Sequence, residues 1–581
     1  MKLLIASLLR VVLAGGFWAV ATQPLELDGQ LVAAEYTRVA GESHQTRSVV
    51  IAEHGMVATS QPLAAQVGLE ILRSGGNAAD AAVATSAMMG VVEPMSCGIG
   101  GDLFAIYWDA KSQTMHGLNA SGRSPYALNV EAIHAAGHDQ IPADGPLSWS
   151  MPGCVDGWSV LLDRFGSRHM SDLLQPSIRY AESGFPVSEV IAGYWHHATG
   201  DLSRWPESVL TYLPDGHAPR VGQIFRNPRL AATYRAIAEQ GRDAFYLGAI
   251  AREIVKCSQE NGGFFALRDF ENHKSEWVDP VSANYRGYDV WELPPNGQGI
   301  AALEMLNILE AYDLSSLGRH SAEYLHLFVE AKKLAFADRA RFYADPAGQD
   351  LPVQELISKE YAARQRARIQ PHRAATDVSA GDPKLQHGDT IYLTVVDKDR
   401  NACSLIQSLY QGFGSKVTPG GVGFALQNRG ALFSLEDEHP NRLEPHKRPF
   451  HTIIPAMVTR DGRPWLVFGV MGGDMQPQGH VQVLVNMIDF GMNVQAAGDA
   501  ARVRHAGSAT PTGEPMDADG GTVSVERGIP DVALRGLLER GHRAAYSLGG
   551  FGGYQAILID TENGVLHGAT ESRKDGTAVG Y

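Results

Sequence analysis

The sequence predicts an α+β fold, in which strands are concentrated near the two ends of the chain and helices lie between them. Three observations support this prediction. Residues 49–57 and 103–108 are rich in β-branched and aromatic residues, a composition typical of strands. Helical periodicity dominates residues 157–375, where short turns rich in proline and glycine separate the segments. After residue 390 the pattern returns to strands.

The N-terminal region indicates export. Lys2 and Arg10 are positive, an apolar run follows, and Ala19-Val20-Ala21 fits a small-x-small cleavage site. This pattern predicts a signal peptide over residues 1–21 and a periplasmic or secreted protein. Because Arg10 shortens the apolar core, an uncleaved anchor or a wrongly assigned start site would also fit. Residues 22–45 have no clear periodicity and are predicted to form a linker.

Composition excludes several classes of protein. The 581 residues include 49 basic and 64 acidic side chains, and the net charge of −15 argues against non-specific binding of nucleic acid. The 4 cysteines contain no CxxC pair and the 21 histidines no HExxH motif. The sequence therefore predicts neither a metal site nor a cofactor. Beyond the first 25 residues or so, no stretch has the composition of a membrane span.

The first helices are marked by their caps. A helix is predicted over residues 61–73, because Ser60 can cap its start and Gly75-Gly76 can end it. Asn77 with Asp80 three residues later is a capping arrangement for a second helix that ends near residue 92.

A glycine-rich turn, Gly98-Ile-Gly-Gly-Asp102, precedes the strand at residues 103–108. It is not a typical phosphate loop, because no Lys-Ser/Thr pair follows and the next element is a strand. Further along the chain, helical patterns cover residues 160–165, 172–181, 229–240, 300–312 and 321–339.

Residues 364–389 are polar and contain breakers, so this segment is predicted to be flexible. A hairpin follows, with strands over residues 390–396 and 402–409. A second hairpin is predicted from residues 452–459 and 465–470. The remaining predictions are helices over residues 478–490, 494–501 and 531–539 and strands over residues 522–526, 554–560 and 565–568.

Thr390 can be interpreted in two ways. It begins an ordinary strand, or it is a future N-terminus. A threonine hydroxyl is a poor nucleophile and needs an adjacent base. The α-amino group of the same residue can act as that base, because its pKa is about 7.7–8.0. Such an amine exists only if the bond between Asp389 and Thr390 is cut.

The segment Thr390-Ile-Tyr-Leu-Thr-Val-Val-Asp resembles the start of the small subunit in γ-glutamyltransferases, which are autoprocessing N-terminal-nucleophile hydrolases. The resemblance extends over residues 46–581. It implies a four-layer αββα sandwich built from a helix-rich large subunit, residues 46–389, and a small subunit, residues 390–581. The other matching segments, in family order, are Gly55-Met-Val-Ala-Thr-Ser-Gln-Pro, Gly75-Gly-Asn-Ala-Ala-Asp-Ala-Ala, Gly98-Ile-Gly-Gly-Asp, Lys447-Arg-Pro, Gly472-Gly and Asp575-Gly-Thr-Ala-Val-Gly-Tyr.

The resemblance also implies roles for individual residues. Thr390 would be the nucleophile, and Ser408 matches a threonine that hydrogen-bonds it. Gly472 and Gly473 match a glycine pair whose backbone N–H groups face the oxyanion.

The substrate clamp departs from the family pattern. The family holds the α-carboxylate of its substrate with an arginine and two adjacent serines. Here the serine positions are His451-Thr452, so only the hydroxyl of Thr452 remains. The arginine position holds Ser121, although Arg123 lies two residues away and could reach the site.

The contacts to the substrate α-ammonium change as well. They fall on Tyr410, Arg429 and Leu432, where the family has an asparagine, a glutamine and an aspartate. The chain thus loses the acid that would pair with an ammonium and gains a cation at Arg429. Asp474, directly after Gly473, is a candidate for the replacement charge.

Three functions are consistent with these features. The first is γ-glutamyl transfer or glutathione hydrolysis, in which Thr390 forms an acyl-enzyme that passes its acyl group to water or an amine. The second is an acylase or amidohydrolase acting on a carboxylated amide without an amino group, of the glutaryl, cephalosporin or oxamate type. The third is a catalytically silent binding protein. In the first two, the expected partners are a small-molecule amide and the two subunits of one precursor.

Overall fold

The computed structural model describes residues 46–378 and 389–581. The predicted signal peptide over residues 1–21 and the linker over residues 22–45 lie outside the described residues. So do residues 379–388 of the segment predicted to be flexible. Within the described ranges, no helix combines the length and the apolar character that a membrane crossing requires.

The strands and helices of the described ranges are numbered here in chain order. The strands are β1 (Val50–Ala52), β2 (Met56–Thr59), β3 (Asp102–Asp109), β4 (Thr114–Ala120), β5 (Phe185–Pro186), β6 (Ile224–Phe225), β7 (Glu276–Val278), β8 (Val281–Tyr285), β9 (Tyr288–Glu292), β10 (Asp389–Val396), β11 (Ala402–Tyr410), β12 (Ala456–Arg460), β13 (Arg463–Met471), β14 (Val503–Ala506), β15 (Thr522–Val525), β16 (Arg543–Tyr546), β17 (Gly553–Asp560), β18 (Val565–Thr570) and β19 (Thr577–Gly580). The helices are α1 (Pro62–Arg73), α2 (Ala78–Val92), α3 (Val130–Ala135), α4 (Cys154–Phe165), α5 (Met170–Leu173), α6 (Gln175–Ser183), α7 (Glu189–Leu202), α8 (Pro206–Tyr212), α9 (Pro228–Gln240), α10 (Arg242–Tyr246), α11 (Ala249–Glu260), α12 (Leu267–Glu271), α13 (Gly299–Leu309), α14 (Leu314–Leu317), α15 (Ala322–Phe342), α16 (Val353–Leu356), α17 (Lys359–Arg366), α18 (Met475–Ile488), α19 (Val494–Asp499) and α20 (Asp531–Glu539).

Two seven-stranded sheets form the centre of the molecule. Their strand orders are β1-β18-β17-β13-β12-β9-β8 and β19-β2-β10-β11-β3-β4-β7. Neighbouring strands are antiparallel throughout both sheets. Two small sheets, β14-β15-β16 and β5-β6, lie outside this pair.

Alternate side chains of the central strands belong to different hydrophobic cores. On β10, Leu393 packs with α1 and α2, whereas Tyr392 packs between the two sheets. On β13, Phe468 packs with α13, α15 and α18, whereas Val467 faces the inter-sheet core. A period of two on both strands is what a sheet buried on both faces requires. The chain therefore forms helix, sheet, sheet and helix layers, which confirms the αββα prediction.

The predicted strand over residues 49–57 was wrong as a single element. It consists of β1, which pairs with β18 in one sheet, and β2, which pairs with β10 in the other. The cap of α1 also differs, because Gln61 rather than Ser60 accepts the Leu63 N–H at 3.0 Å. The Asn77–Asp80 capping box on α2 is confirmed.

Prolines explain two further differences. The predicted helix over residues 172–181 is divided into α5 and α6, and Pro176 lies in the first turn of α6. The strand predicted from residue 452 begins only at Ala456, directly after Pro455. Proline has no N–H to donate to a neighbouring strand, so it favours the strand's start.

Candidate active site

Thr390 is the second residue of β10, and it lies where the pairing of β10 with β11 is irregular. The register shifts between Asp389, which pairs with Tyr410, and Ile391. A shift of this kind bends a strand and takes one residue out of the regular ladder. Thr390 is 2% exposed, and its Oγ1 lies 3.2 Å from Oγ of Ser408 on β11.

Ser408 is held by donors on its other side. Its Oγ accepts hydrogen bonds from the backbone N–H of Tyr410 at 2.8 Å and from Nη2 of Arg429 at 3.1 Å. Because both lone pairs of Oγ accept hydrogen bonds, the hydroxyl proton is a donor, and Thr390 Oγ1 lies at hydrogen-bonding distance. Such a donor stabilises the negative charge that develops on Oγ1 when Thr390 loses its proton.

Arg429 is a fully buried cation next to Ser408. Its Nη1 donates to Oγ1 of Thr452 at 2.7 Å, and its guanidinium carbon lies 4.6 Å from the centre of the Tyr410 ring. Burial lowers the pKa of Arg429 to about 10, and the field of Asp102 opposes this shift. None of the carboxylates whose side chains the structure describes forms a salt bridge with this guanidinium. Buried charges are normally paired, so Arg429 can accept an anionic partner.

Asp102 is a site residue that the sequence analysis treated only as the end of a glycine-rich turn. One carboxylate oxygen, Oδ1, accepts hydrogen bonds from three donors, including the Gly122 N–H at 3.0 Å. The other, Oδ2, lies 3.1 Å from Nε2 of His451. Burial raises the pKa of Asp102 to about 7. The histidine at the missing serine position thus contacts Asp102. The signal for Asp102 in the sequence was an acidic residue at the start of a buried strand.

Gly472 and Gly473 form the turn between β13 and α18. Their φ angles are +121° and +56°, which glycine adopts without strain. A Cβ atom on Gly472 would lie 3.1 Å from Cα of Gly552. Two successive N–H groups in a turn can form an anion-binding concavity, which is what a tetrahedral oxyanion requires.

Gln298 connects this turn to the hydroxyl network, and sequence reasoning missed it. Its Nε2 donates to the carbonyl oxygens of Thr452 at 2.7 Å and Gly473 at 2.9 Å. Thr452 in turn accepts from Arg429, so hydrogen bonds run continuously from Thr390 to the glycine turn. The only signal for Gln298 in the sequence was its place in a glycine- and proline-rich loop before a helix.

Asp474 is paired inside the protein. Its Oδ1 lies 2.6 Å from Nη1 of Arg339, a fully buried arginine on α15 that also donates to Gln298. The side chain of Asp474 is 31% exposed and faces a cavity. The candidate replacement charge is therefore already neutralised by Arg339.

Arg123 and Leu432 lie apart from the Thr390 network. Nη2 of Arg123 lies 2.8 Å from Oε1 of Glu276, which also pairs with Arg448. Leu432 is buried in the hydrophobic core formed with α13 and α15. The structure therefore brings together Thr390, Ser408, Tyr410, Arg429 and Thr452 and links them to the Gly472–Gly473 turn, but it does not add Arg123.

A cavity of about 1130 Å³ begins at this network. Its lining includes Tyr410, Gly472, Asp474, Arg504 and Ser508. Small-molecule sites usually have volumes of about 300–1000 Å³, so the cavity can hold an amide substrate with its leaving group.

One group of side chains in the described ranges has metal-ligand character. Ligand atoms of His326, Glu330 and His542 lie within 4.8 Å of one another. However, Nδ1 of His326 lies 2.8 Å from Nε2 of His542, and Nε2 of His326 lies 2.8 Å from the carbonyl oxygen of Gln370. The Glu330 carboxylate accepts from Nζ of Lys333 at 2.8 Å. Hydrogen bonds within the protein thus account for this group without an ion.

The chain is similar to known proteins over most of its length. The sequence profile of the family described as Gamma-glutamyltranspeptidase matches residues 64–581. The chain is 40% identical to the glutathione hydrolase-like YwrD proenzyme of Bacillus subtilis (strain 168), over 91% of this chain and 99% of that protein. It is 35% identical to the acylase ACY 1 proenzyme of Pseudomonas sp. (strain SE83), over 90% of this chain and 93% of that protein.

A solved structure gives the same picture. The crystal structure of cephalosporin acylase from Bacillus halodurans matches with a TM-score of 0.85 and 42% sequence identity, covering 92% of this chain and 97% of that chain. A match this extensive includes both the helix-rich part before Thr390 and the strand-rich part after it.

Proposed function

Because the chain belongs to the γ-glutamyltranspeptidase family, we propose that it is a proenzyme in which Thr390 cuts its own chain and then cleaves amides. In the precursor, Oγ1 of Thr390 attacks the carbonyl carbon of Asp389. The peptide C–N bond breaks as an ester forms, and the nitrogen becomes the free α-amine of Thr390. Water then hydrolyses the ester and releases the Asp389 carboxylate.

The mature enzyme repeats this chemistry on a substrate. The α-amine of Thr390 accepts the Oγ1 proton while Oγ1 attacks the amide carbon, and the proton passes to the leaving nitrogen. The Gly472–Gly473 turn offers N–H groups to the oxyanion, and Ser408 donates to Oγ1. Water or an amine then attacks the ester carbonyl of the acyl-enzyme, which releases the acyl group and restores the Thr390 hydroxyl.

Arg429 is the observation that carries our proposal for the acyl group. It is a buried guanidinium one hydrogen bond away from Ser408, and none of the carboxylates whose side chains are described, a set that does not include Asp389, contacts it. A carboxylate at the far end of a glutaryl-type acyl group would supply the missing anion. We therefore propose that the preferred acyl group has a terminal carboxylate and no α-ammonium. The likeness to an acylase and to a cephalosporin acylase supports this proposal.

The second candidate is a γ-glutamyl acyl group, and Asp474 is the observation in its favour. Its carboxylate faces the cavity, so it could contact an ammonium despite its pairing with Arg339. The name of the Bacillus subtilis relative, glutathione hydrolase-like, agrees with this alternative.

Two substrates that differ only at one carbon distinguish these candidates. We expect glutaryl p-nitroanilide to have a kcat/KM at least equal to that of γ-glutamyl p-nitroanilide. Arg429→Ala should reduce kcat/KM for the glutaryl substrate more, by roughly ten- to hundredfold, because a hydrogen bond to a charged group contributes about 1.5–3 kcal/mol. Arg463→Ala, which removes an exposed arginine at the start of β13, is the matched control. A tenfold advantage for the γ-glutamyl substrate would refute the proposal for the acyl group.

We also propose that the protein is exported, on the basis of the N-terminal pattern of charges and apolar residues. The exported chain should begin near Thr22. N-terminal sequencing of protein from a periplasmic or culture fraction tests this, and a full-length N-terminus in the cytoplasm would contradict it.

A further inference from the structure

Lys332 is a buried cation behind the wall of the cavity, and the reaction described above does not use it. It lies on α15 and is 1% exposed. Its Nζ donates to Oγ of Ser508 at 2.7 Å, lies 3.2 Å from Nδ1 of His505 and is 3.8 Å from the centre of the Phe336 ring. No salt bridge of the described residues includes Lys332. A buried ammonium whose contacts are all neutral lacks the anion that usually accompanies it.

The two polar side chains that Lys332 contacts both line the cavity. Nε2 of His505 lies 2.8 Å from the carbonyl oxygen of Gly520, so this nitrogen carries the proton and Nδ1 accepts from Lys332. Oγ of Ser508 also accepts from Lys332, which leaves its own proton as a donor. Oγ of Ser508 lies 3.3 Å from Nδ1 of His505, and an anion in the cavity would be a stronger acceptor for its proton.

The neighbouring charges do not balance Lys332. Asp474 is the acid whose field acts on Lys332, and it already contacts Arg339, while Arg339, Lys333 and Arg504 add positive charge nearby. Burial and the Arg339 cation lower the pKa of Lys332. An anion bound in the cavity would oppose both effects and stabilise the protonated ammonium.

This wall is joined rigidly to the glycine turn. Gln478 on α18 donates from Nε2 to the carbonyl oxygens of Asp474 at 2.9 Å and His505 at 3.1 Å. Its Oε1 accepts the N–H of His505 at 2.8 Å. Residues on β14 and directly after it, among them Arg504 and Ser508, are thus held at a fixed position relative to the oxyanion turn.

We propose that Ser508, backed by Lys332, is a subsite for a carboxylate carried by the leaving amine of the substrate. The inference rests on the proposed function: if the acyl group occupies the space next to Arg429, the leaving group extends along the cavity past Gly472 and Asp474. Arg504 lines the same cavity, but Asp474, Glu514 and Asp517 line it as well. The attraction for a carboxylate therefore comes from Ser508 and Lys332 and not from the lining as a whole. The ligand class is an amine that bears a carboxylate, such as an amino acid, a short peptide or a carboxylated ring.

Two anilides with the same acyl group test the subsite kinetically. One releases 4-nitroaniline and the other releases 5-amino-2-nitrobenzoate, which carries an additional carboxylate. We expect the wild type to favour the carboxylated anilide about tenfold in kcat/KM, mainly through KM. Lys332→Met, which keeps the length and apolar packing of the side chain, should abolish this preference while the plain anilide is cleaved as before. Lys398→Met removes the same charge from an exposed turn at the other end of β10 and should change neither rate.

Equilibrium binding of the two free amines provides a test that needs no turnover. We expect 5-amino-2-nitrobenzoate to bind wild-type protein about tenfold more tightly than 4-nitroaniline, and Ser508→Ala and Lys332→Met to remove the difference. Equal affinities in the wild type, or an unchanged ratio in both variants, would overturn the subsite. The kinetic ratio of the two anilides is measured with whichever acyl group is cleaved faster. It therefore does not depend on the role proposed for Arg429. Loss of all cleavage, with the binding ratio retained, would count against the proposed function alone.

Discussion

In the proposed mechanism Thr390 is the nucleophile, and because a threonine hydroxyl is weak by itself, its neighbours must raise its reactivity. Ser408 lies 3.2 Å from its Oγ1 and is itself held by the Tyr410 N–H and by Arg429. These contacts fix the hydroxyl network before any substrate arrives. Preorganised donors of this kind stabilise charge without further rearrangement, which is usually the largest contribution that a protein makes to catalysis.

Gly472 offers a residue-scale test of the oxyanion turn. At φ +121°, an alanine is strained by about 1–3 kcal/mol, and its Cβ would lie 3.1 Å from Cα of Gly552. The backbone must move to relieve this contact, and the N–H groups of the turn move with it. We expect Gly472→Ala to lower kcat by about a hundred- to a thousandfold while KM changes little, as measured with the better anilide.

Gly462 provides the matched control. It also has a positive φ, +73°, but an added Cβ meets nothing within 4 Å in the turn between β12 and β13. Gly462→Ala should therefore lose stability by urea unfolding through backbone strain alone and keep its activity. If both variants retained full activity, the Gly472–Gly473 turn would not be the oxyanion site.

Among individual site residues, the sequence could identify only those that align with a family motif. Thr390, Ser408 and Arg429 could be found in this way, and the structure places them in one network. Asp102 and Gln298 could not, because their contacts depend on segments far away in the chain: Asp102 reaches His451, and Gln298 reaches the turn after β13.

Strands with clear alternation were the easiest elements to predict. The hairpin of β10 and β11 begins and ends within one residue of its predicted limits. The β8–β9 hairpin was missed, because helical patterns dominate the sequence on both sides of it. It completes the edge of a sheet through pairing with β12, a contact that local periodicity cannot reveal.

The long helix α15 contacts residues 370–375, which precede the proposed cleavage site. Nε2 of His326 lies 2.8 Å from the carbonyl oxygen of Gln370, and Nζ of Lys333 donates to the carbonyl oxygen of Ala375 at 2.7 Å. His542, three residues after the end of α20, also contacts His326, at 2.8 Å between Nε2 and Nδ1. Residues 370–375, near the end of the first described range, are therefore held on α15 by polar contacts.

These contacts should make the protein sensitive to acid. Burial lowers the pKa of His542 to about 3, whereas a histidine in an unfolded chain titrates near 6.5. The unfolded chain thus binds the proton first, so stability is lost as the pH falls from about 6.5 toward 3. At pH 5 this one group should account for about 2 kcal/mol of that loss.

Urea unfolding at pH 7.5 and pH 5 measures this effect. We expect the free energy of unfolding of His542→Gln to decline less between the two pH values than that of the wild type, by about 2 kcal/mol. His196→Gln, which changes an exposed histidine on α7, should decline as the wild type does. Equal declines in all three proteins would show that His542 is not the group that titrates.

At the scale of the whole molecule, both large sheets contain strands from either side of the proposed cleavage site. In one sheet β10 and β11 lie between β2 and β3, and in the other β12 lies next to β9. Separation of the two fragments would break ladders in both sheets and expose the cores between the layers. We expect the fragments to elute together in size-exclusion chromatography and to separate only in denaturant. Elution of a free small fragment from native protein would argue against this shared architecture.

The identity of the nucleophile is the central claim, and intact-protein mass spectrometry tests it most directly. For purified wild-type protein we expect two masses, the smaller of which corresponds to a fragment that begins at Thr390 and ends at Tyr581. For Thr390→Ala we expect a single uncut chain, because the attacking oxygen is gone. A wild-type protein that remains intact, or a Thr390→Ala variant that is cut at the same bond, would contradict the assignment.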